Sequence, residues 1–260
     1  MASTAARTYL AFQHNAKLHT LKTIVTAIRP FANLEESNRQ LFKDGSEQDH
    51  VVVTEQTVFH PQGGGQPSDV GTMTTPSGAS FAVTSVRMDV VRDGQVLHLG
   101  RFNGPDAQFK EGEEVEQAID VEKRLLYSRL HTAGHVLGAA VRHLLEKEVE
   151  GFDELKASHF PDSASCEFQG LIDGKWKEPI QGKLDEYLAA KLPVKVDFWM
   201  RRTFASPGAA REKFRVVEIV GAEVYPCGGT HVDSTDLCGE AVVKKISRSK
   251  GKSKVSYAVK

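Results

Sequence analysis

The sequence of 260 residues predicts an α+β protein in two parts. A small antiparallel, β-barrel-like domain is expected over residues 1–115, and an α+β domain with an antiparallel sheet over residues 116–260. Three observations carry this reading. Short β-branched runs separated by turn signals fill the chain up to about Gly100. One long helical period follows Asp120. Beyond it, strand-like and helix-like stretches do not alternate strictly, which points away from a parallel α/β sheet.

Taken in order, Leu21–Ile28 is β-branched and reads as the first strand. Leu34–Asp49 is polar and reads as a loop. Val51-Val52-Val53 and Thr57-Val58-Phe59 are strand-like, and Phe81–Val86 alternates in part. Asp93-Gly94 is a turn signal between Val83–Val91 and Gln95–Leu99. Asp120 is a good helix N-cap, and Glu122 places negative charge in the first turn, where the helix dipole favours it. Leu125, Leu126, Leu130, Ala133, Leu137, Val141, Leu144 and Leu145 then recur at helical spacing, with Gly151 as a stop signal. Ser165–Phe168 reads as a strand, Leu184–Lys191 as a short helix and Val194–Met200 as a strand. Phe214–Val220 and Ala241–Ile246 complete the strands.

Composition is globular, with 40% hydrophobic and 26% charged residues and a net charge of -1. Nucleic-acid binding would therefore need local patches rather than a global basic field. Three cysteines, Cys166, Cys227 and Cys238, argue against a disulfide framework and for a reducing compartment. No apolar run is long enough to span a membrane, so no membrane partner is expected. No acid precedes Glu35 while Arg7, Lys17, Lys22 and Arg29 are basic, as in an organelle transit peptide. The β-branched run at Leu21 belongs to the fold, however, and a cytoplasmic location is expected with an organelle left open. Nothing in the sequence fixes the oligomeric state.

Two pairs of metal-capable side chains stand out. His131 and His135 are four apart on the predicted helix and share one face, so both can grip one ion. Cys227 and His231 lie in the glycine-bent loop Pro226-Cys227-Gly228-Gly229-Thr230-His231-Val232. A donor set of imidazoles and a thiolate favours zinc over calcium or magnesium, which take oxygen. No glutamate follows His131, so the His-Glu-x-x-His pattern of zinc proteases and its general base are absent. Gly134 and Gly138 lie on the histidine stripe. A mid-helix glycine costs about 1 kcal/mol against alanine, so they imply either close packing or space cleared for a substrate. Upstream, Gly63-Gly64-Gly65-Gln66 interrupts the β-rich half. No Lys-Ser/Thr follows it, which excludes a nucleotide loop.

Four motifs occur in a fixed order: the glycine-rich segment Gly63–Asp69, His131-x3-His135, Ser158-His159-Phe160-Pro161-Asp162, and Cys227-Gly-Gly-Thr-His231. In this order they resemble the free-standing alanyl-tRNA editing proteins of the AlaX type, which are similar to the editing domain of alanyl-tRNA synthetase. The resemblance runs from about Tyr9 onward, and the glycine-rich motif marks the longer subtype. It implies a barrel-like N-terminal domain and a C-terminal editing domain with one zinc ion held by His131, His135, Cys227 and His231. Where many family members carry threonine immediately before the second helix histidine, this chain has Gly134.

The resemblance further implies hydrolysis of the ester on mischarged tRNA(Ala), carrying serine and also glycine. Four protein ligands close a tetrahedral zinc, so either His231 binds loosely and is free to act as a base, or the ion expands its shell. Thr230 and the amides of Gly228 and Gly229 are candidate donors at the ester. Gly63, Gly64, Gly65, Gln66 and Asp69 are candidate substrate residues by family position. The basic run Lys244, Lys245, Arg248, Lys250, Lys252, Lys254 is the candidate contact to tRNA phosphates, with Arg201-Arg202 as a weaker one. Two other readings fit the residues. One is a non-catalytic tRNA- or RNA-binding module with a structural zinc. The other is a zinc hydrolase of another small ester.

Overall fold

Residues 6–104, 108–200 and 213–260 are described by the computed structural model. They divide into two units: the chain up to Gly63 together with Pro67–Arg124, and Gly64–Gln66 together with Leu125–Lys260. The boundary expected at 115/116 falls inside a barrel strand.

The first unit runs β1 (Tyr9–Leu10), α1 (Ala11–His14), β2 (Thr20–Pro30), α2 (Glu36–Arg39), β3 (His50–Thr54), β4 (Gln56–Thr57), β5 (Gly71–Thr74), β6 (Ser80–Met88), β7 (Val96–Phe102) and β8 (Glu114–Ile119). Six of these strands close into an antiparallel barrel in the order β2-β3-β7-β6-β5-β8, with β8 returning to β2. The three consecutive valines of β3 explain one departure from expectation. Val52 faces the barrel interior with Phe59, Phe81, Val83 and Val115. Val51 and Val53 face the other way, where Phe31, Leu34, Phe42, Leu97 and Leu99 bury them. The segment 34–49, expected to be a polar loop, holds α2 and covers that outer face. Leu34, Leu41 and Phe42 are the segment's only apolar residues, too few to give a sequence pattern a clear period.

Asp69 and Arg124 form an ion pair with both side chains 1% exposed. Arg124 also donates to the carbonyls of Val58 (2.6 Å) and Ala16 (3.0 Å), and Asp69 accepts from the His60 amide (2.6 Å). Such satisfaction of every polar atom is what lets two charges stay buried, and removing one partner costs about 3–5 kcal/mol.

The second unit is built on α3 (Val121–Leu145), whose first turn belongs to the first unit. There follow β9 (Asp153–Ser158), β10 (Ser165–Gln169), α4 (Lys177–Ala189), β11 (Val194–Met200), β12 (Lys213–Ile219), β13 (Glu223–Pro226), β14 (Ala241–Ser249) and β15 (Lys252–Val259). One antiparallel sheet has the order β14-β15-β10-β9 and a smaller one the order β11-β12-β13. Leu130, Leu137, Val141 and Leu145 of α3 share a core with Phe168, Ile180, Leu184 and Val255. The expected helix stop at Gly151 is too late: α3 ends at Leu145, and Gly151 takes a positive φ in the turn before β9. α4 starts at Lys177, a full turn and more before Leu184, because Ile180 is buried on the same face as Leu184 and Leu188. The basic run at the C-terminus forms the hairpin β14–β15, turning at Lys250 and Gly251.

Candidate metal centre

α3 is fixed at its start by Asp120, whose Oδ1 accepts the Lys123 amide at 3.0 Å, and Arg142 and His143 occupy its last turn. From this helix His131 and His135 project side by side, their ring centroids 4.9 Å apart. The loop after β13 brings Cys227 and His231 to the same place. One ligand atom from each of the four residues lies within 4.8 Å of the others. Cys227 Sγ is 3.4 Å from His131 Nε2 and 3.3 Å from His231 Nε2. A tetrahedral ion with bonds of about 2.0–2.3 Å sets neighbouring ligand atoms roughly 3.3–3.7 Å apart, so the donor set suits zinc in chemistry and the two Cys227 distances suit it in spacing.

The shell behind these atoms leaves the right ones free. Gln66 Oε1 lies 2.7 Å from His131 Nδ1 and accepts the Thr230 amide at 3.0 Å. Thr132 Oγ1 is 3.1 Å from His231 Nδ1. Because Gln66 Oε1 can only accept, His131 carries its proton on Nδ1 and its Nε2 lone pair is free for the cluster, while Thr132 orients the His231 ring. A side chain at Gly229 would run into the His131 ring and Gln66 Oε1, and the Gly229 amide donates to Cys227 Sγ at 3.4 Å. Burial pushes His135 down to about 3, helped by the neighbouring His159 and Arg215, so its imidazole is neutral and ready to ligate. Burial pushes the Cys227 thiol up, opposed by the Gly229 amide and the Arg215 charge, and a bound cation would reverse that balance. Arg215 lies nearly buried beside the loop and donates to the Cys227 carbonyl at 2.6 Å.

Comparison with known proteins bears on this geometry. Residues 5–123 match the family described as tRNA synthetases class II (A), and residues 214–255 match the threonyl and alanyl tRNA synthetase second additional domain. The chain is 31% identical to alanyl-tRNA editing protein AlaX-L of Pyrococcus horikoshii, over 85% of this chain and 53% of that protein. It is also 31% identical to AlaX-M of Methanosarcina barkeri, over 81% of this chain and 89% of that one. The chain belongs to the AlaX family of alanyl-tRNA editing proteins. It spans about half the length of AlaX-L, and it is 31% identical to the alanine–tRNA ligase of Methanosphaera stadtmanae over 24% of that enzyme.

In this AlaX-family chain the ligand group opens onto a cavity of about 470 Å³ lined by His131, His135, Cys227, Gly64, Gly65 and His159, among others. The remaining sequence candidates divide around it. Gly64 and Gly65 line the cavity with positive φ, which explains glycine at both. A side chain at Gly65 would strike the Ala157 carbonyl, so it is β9 of the protein itself that approaches there. Gly63 does not line the cavity, and Asp69 is locked against Arg124 in the first unit. Gln66 is fully buried and grips the ligand shell rather than facing the cavity. Thr230 is fully buried too, held by Gln66 Nε2 at 2.9 Å and by the Ser128 hydroxyl at 2.7 Å. It is not among the residues that line the cavity. Gly134 and Gly138 answer to packing: side chains there would meet the His159 ring and the Tyr257 hydroxyl, or the Tyr225 hydroxyl and Glu154. Arg201-Arg202 lies outside the described residues.

Sequence reasoning missed Ser128, Thr132, Arg215 and Tyr257. Ser128 and Thr132 lie four apart on α3, one on either side of His131 in the chain, which is a usable signal. Arg215 and Tyr257 sit in strands and carry no local mark.

Proposed function

We propose that the protein is a trans-editing deacylase that hydrolyses the aminoacyl ester of mischarged tRNA(Ala), with Ser-tRNA(Ala) and Gly-tRNA(Ala) as substrates and one zinc ion per chain. The observation that carries this is a zinc-compatible group of four side chains, three of which line a cavity large enough to admit the aminoacyl end of a tRNA. When bound, zinc supplies a Lewis acid and an anchor for the aminoacyl end. On this reading His131, His135, Cys227 and His231 are all ligands. His231 is counted with them because both of its ring nitrogens are engaged, one toward Thr132 and one toward Cys227. Gln66 and Thr132 hold two rings in the ligating orientation, and Gly64 gives the substrate a route past bare main chain. A second sieve of this kind is needed because a synthetase pocket for alanine cannot strongly reject a smaller glycine or a serine that adds only a hydroxyl.

For the tRNA body we assign the outer face of the β14–β15 hairpin. Cross-strand partners share a face, so Lys245 opposite Ser256, Ser247 opposite Lys254, and Ser249 opposite Lys252 present three lysines and three hydroxyls together. β10 and β9 extend that face through Glu167 to Lys156, which lines the cavity. Interleaved ammonium and hydroxyl groups suit a phosphate backbone.

Deacylation of purified Ser-tRNA(Ala) and Gly-tRNA(Ala), with Ala-tRNA(Ala) as control, tests the proposal. Both mischarged species should be hydrolysed faster than they decay alone, with Ala-tRNA(Ala) spared. Chelation should abolish the rate, zinc should restore it, and Cys227→Ala should not respond to zinc. Binding without hydrolysis would favour the RNA-binding module with a structural zinc. Activity only on simple esters would favour a different hydrolase.

A further inference from the structure

One histidine of the cavity stands outside the ligand group. His159 follows β9, its amide donating to the Gly65 carbonyl at 2.8 Å, and its ring stacks on that of His131 with centroids 4.1 Å apart. His159 Nδ1 is 2.7 Å from the Tyr257 hydroxyl, and that hydroxyl is 2.9 Å from the Leu130 carbonyl. A phenol has one proton to give and a carbonyl can only accept. Tyr257 therefore donates to Leu130 and accepts from His159, which fixes the imidazole proton on Nδ1. Nε2 is left as an acceptor with no hydrogen-bond partner among the described residues, on a ring that lines the cavity. Gly134 makes the arrangement sterically allowed, since a side chain there would run into both the imidazole and the phenol.

We propose that His159 is a specificity-determining residue whose Nε2 accepts a hydrogen bond from the side-chain hydroxyl of a seryl group in the cavity, an inference that rests on the deacylase reading. Tyr257 acts through it as a positioning residue that sets the tautomer. An alanyl methyl against Nε2 would leave a dehydrated acceptor unpaired, which is the most effective way to reject an analogue that lacks a hydroxyl. A glycyl group leaves room for water at the same place and gains nothing from the imidazole.

The test compares kcat/KM of the zinc-loaded full chain on Ser-tRNA(Ala) and on Gly-tRNA(Ala) for wild type, His159→Phe and Tyr257→Phe, with zinc per chain measured for each. Phenylalanine at 159 keeps an aromatic ring against His131 and removes the Nε2 acceptor together with the Nδ1–H that Tyr257 accepts. We expect His159→Phe to lose about 10-fold on the seryl substrate, the size of one hydrogen bond, with the glycyl rate within about twofold. Tyr257→Phe should move the ratio in the same direction by less, because the proton then moves to Nε2 for only part of the time. Equal losses on both substrates would make His159 a general base and overturn the proposal, as would an unchanged seryl rate. If His159→Phe loses zinc, Tyr257→Phe decides: an unchanged seryl-to-glycyl ratio there overturns it. A wild type inert on both substrates would instead sink the deacylase reading, a result seen before any variant is compared.

Discussion

Truncating Gln66 would strip a partner from His131 and two from Thr230 at once, since its single amide serves all three contacts. We expect Gln66→Ala to weaken zinc binding by about 10–100-fold while the far-ultraviolet spectrum stays unchanged. Competition against a chromophoric chelator reads this, and an unaltered affinity would mean that packing alone orients His131. Gly134→Thr should destabilise the protein by roughly 1–3 kcal/mol, because the ring and phenol it would strike are buried and cannot step aside. A shift in the urea midpoint measures it. At this scale the clustering of His131, His135, Cys227 and His231 was legible because their spacing within helix and loop is local. Gln66 looked like a substrate contact, and its actual partner Thr230 lies 164 positions away. Asp69 failed for the opposite reason. A carboxylate beside a glycine run reads the same whether it faces a cavity or, as here, Arg124.

Local chemistry decides the start of α3, and it was readable there, whereas the end at Leu145 was not. Asp120→Ala removes the side-chain acceptor for the Lys123 amide and should cost about 1 kcal/mol in denaturant unfolding. The strands β9 and β15 escaped notice for a physical reason. Asp153–Ser158 is an edge strand with mostly polar residues on both faces, and Lys252–Val259 alternates lysine and serine with valine and tyrosine under a dominating charge pattern. What read as a basic tail is thus one side of a buried sheet, with Ser253, Val255 and Tyr257 facing inward. The other side supplies a sharp expectation. Replacing Lys245, Lys252 and Lys254 together with alanine should weaken tRNA binding and reduce the slope of log K against log salt by about two to three, without changing hydrolysis of a small seryl ester. An unchanged slope would move the RNA contact elsewhere.

For the whole molecule, pH is the informative variable. Burial pushes His98 down to about 4; its two ring nitrogens bond to Thr57 and to the Val52 carbonyl. His135 and His159 are likewise held low, to about 3 and about 4. An unfolded histidine takes up its proton near 6.5, so the stability these neutral rings lend is complete above that pH and is lost as pH falls toward 4. The loss from His98 alone reaches about 3 kcal/mol at the lower end. Unfolding of the metal-free chain at pH 7, 5.5 and 4.5 should follow this slope, and His98→Gln should flatten it. The barrel and the mixed second unit were legible as classes, from strand density and from one long helix. Their limits were not, because Gly64–Gln66 folds with a unit whose other residues begin at Leu125. That interleaving governs how the gene can be cut. No single contiguous fragment encodes the second unit: a piece starting at Leu125 would carry all four sulfur and imidazole donors yet leave its glutamine behind. Inserting or transplanting such a module therefore requires two segments of sequence, and a split-protein pair divided near residue 124 should recover full metal affinity only when both halves are mixed.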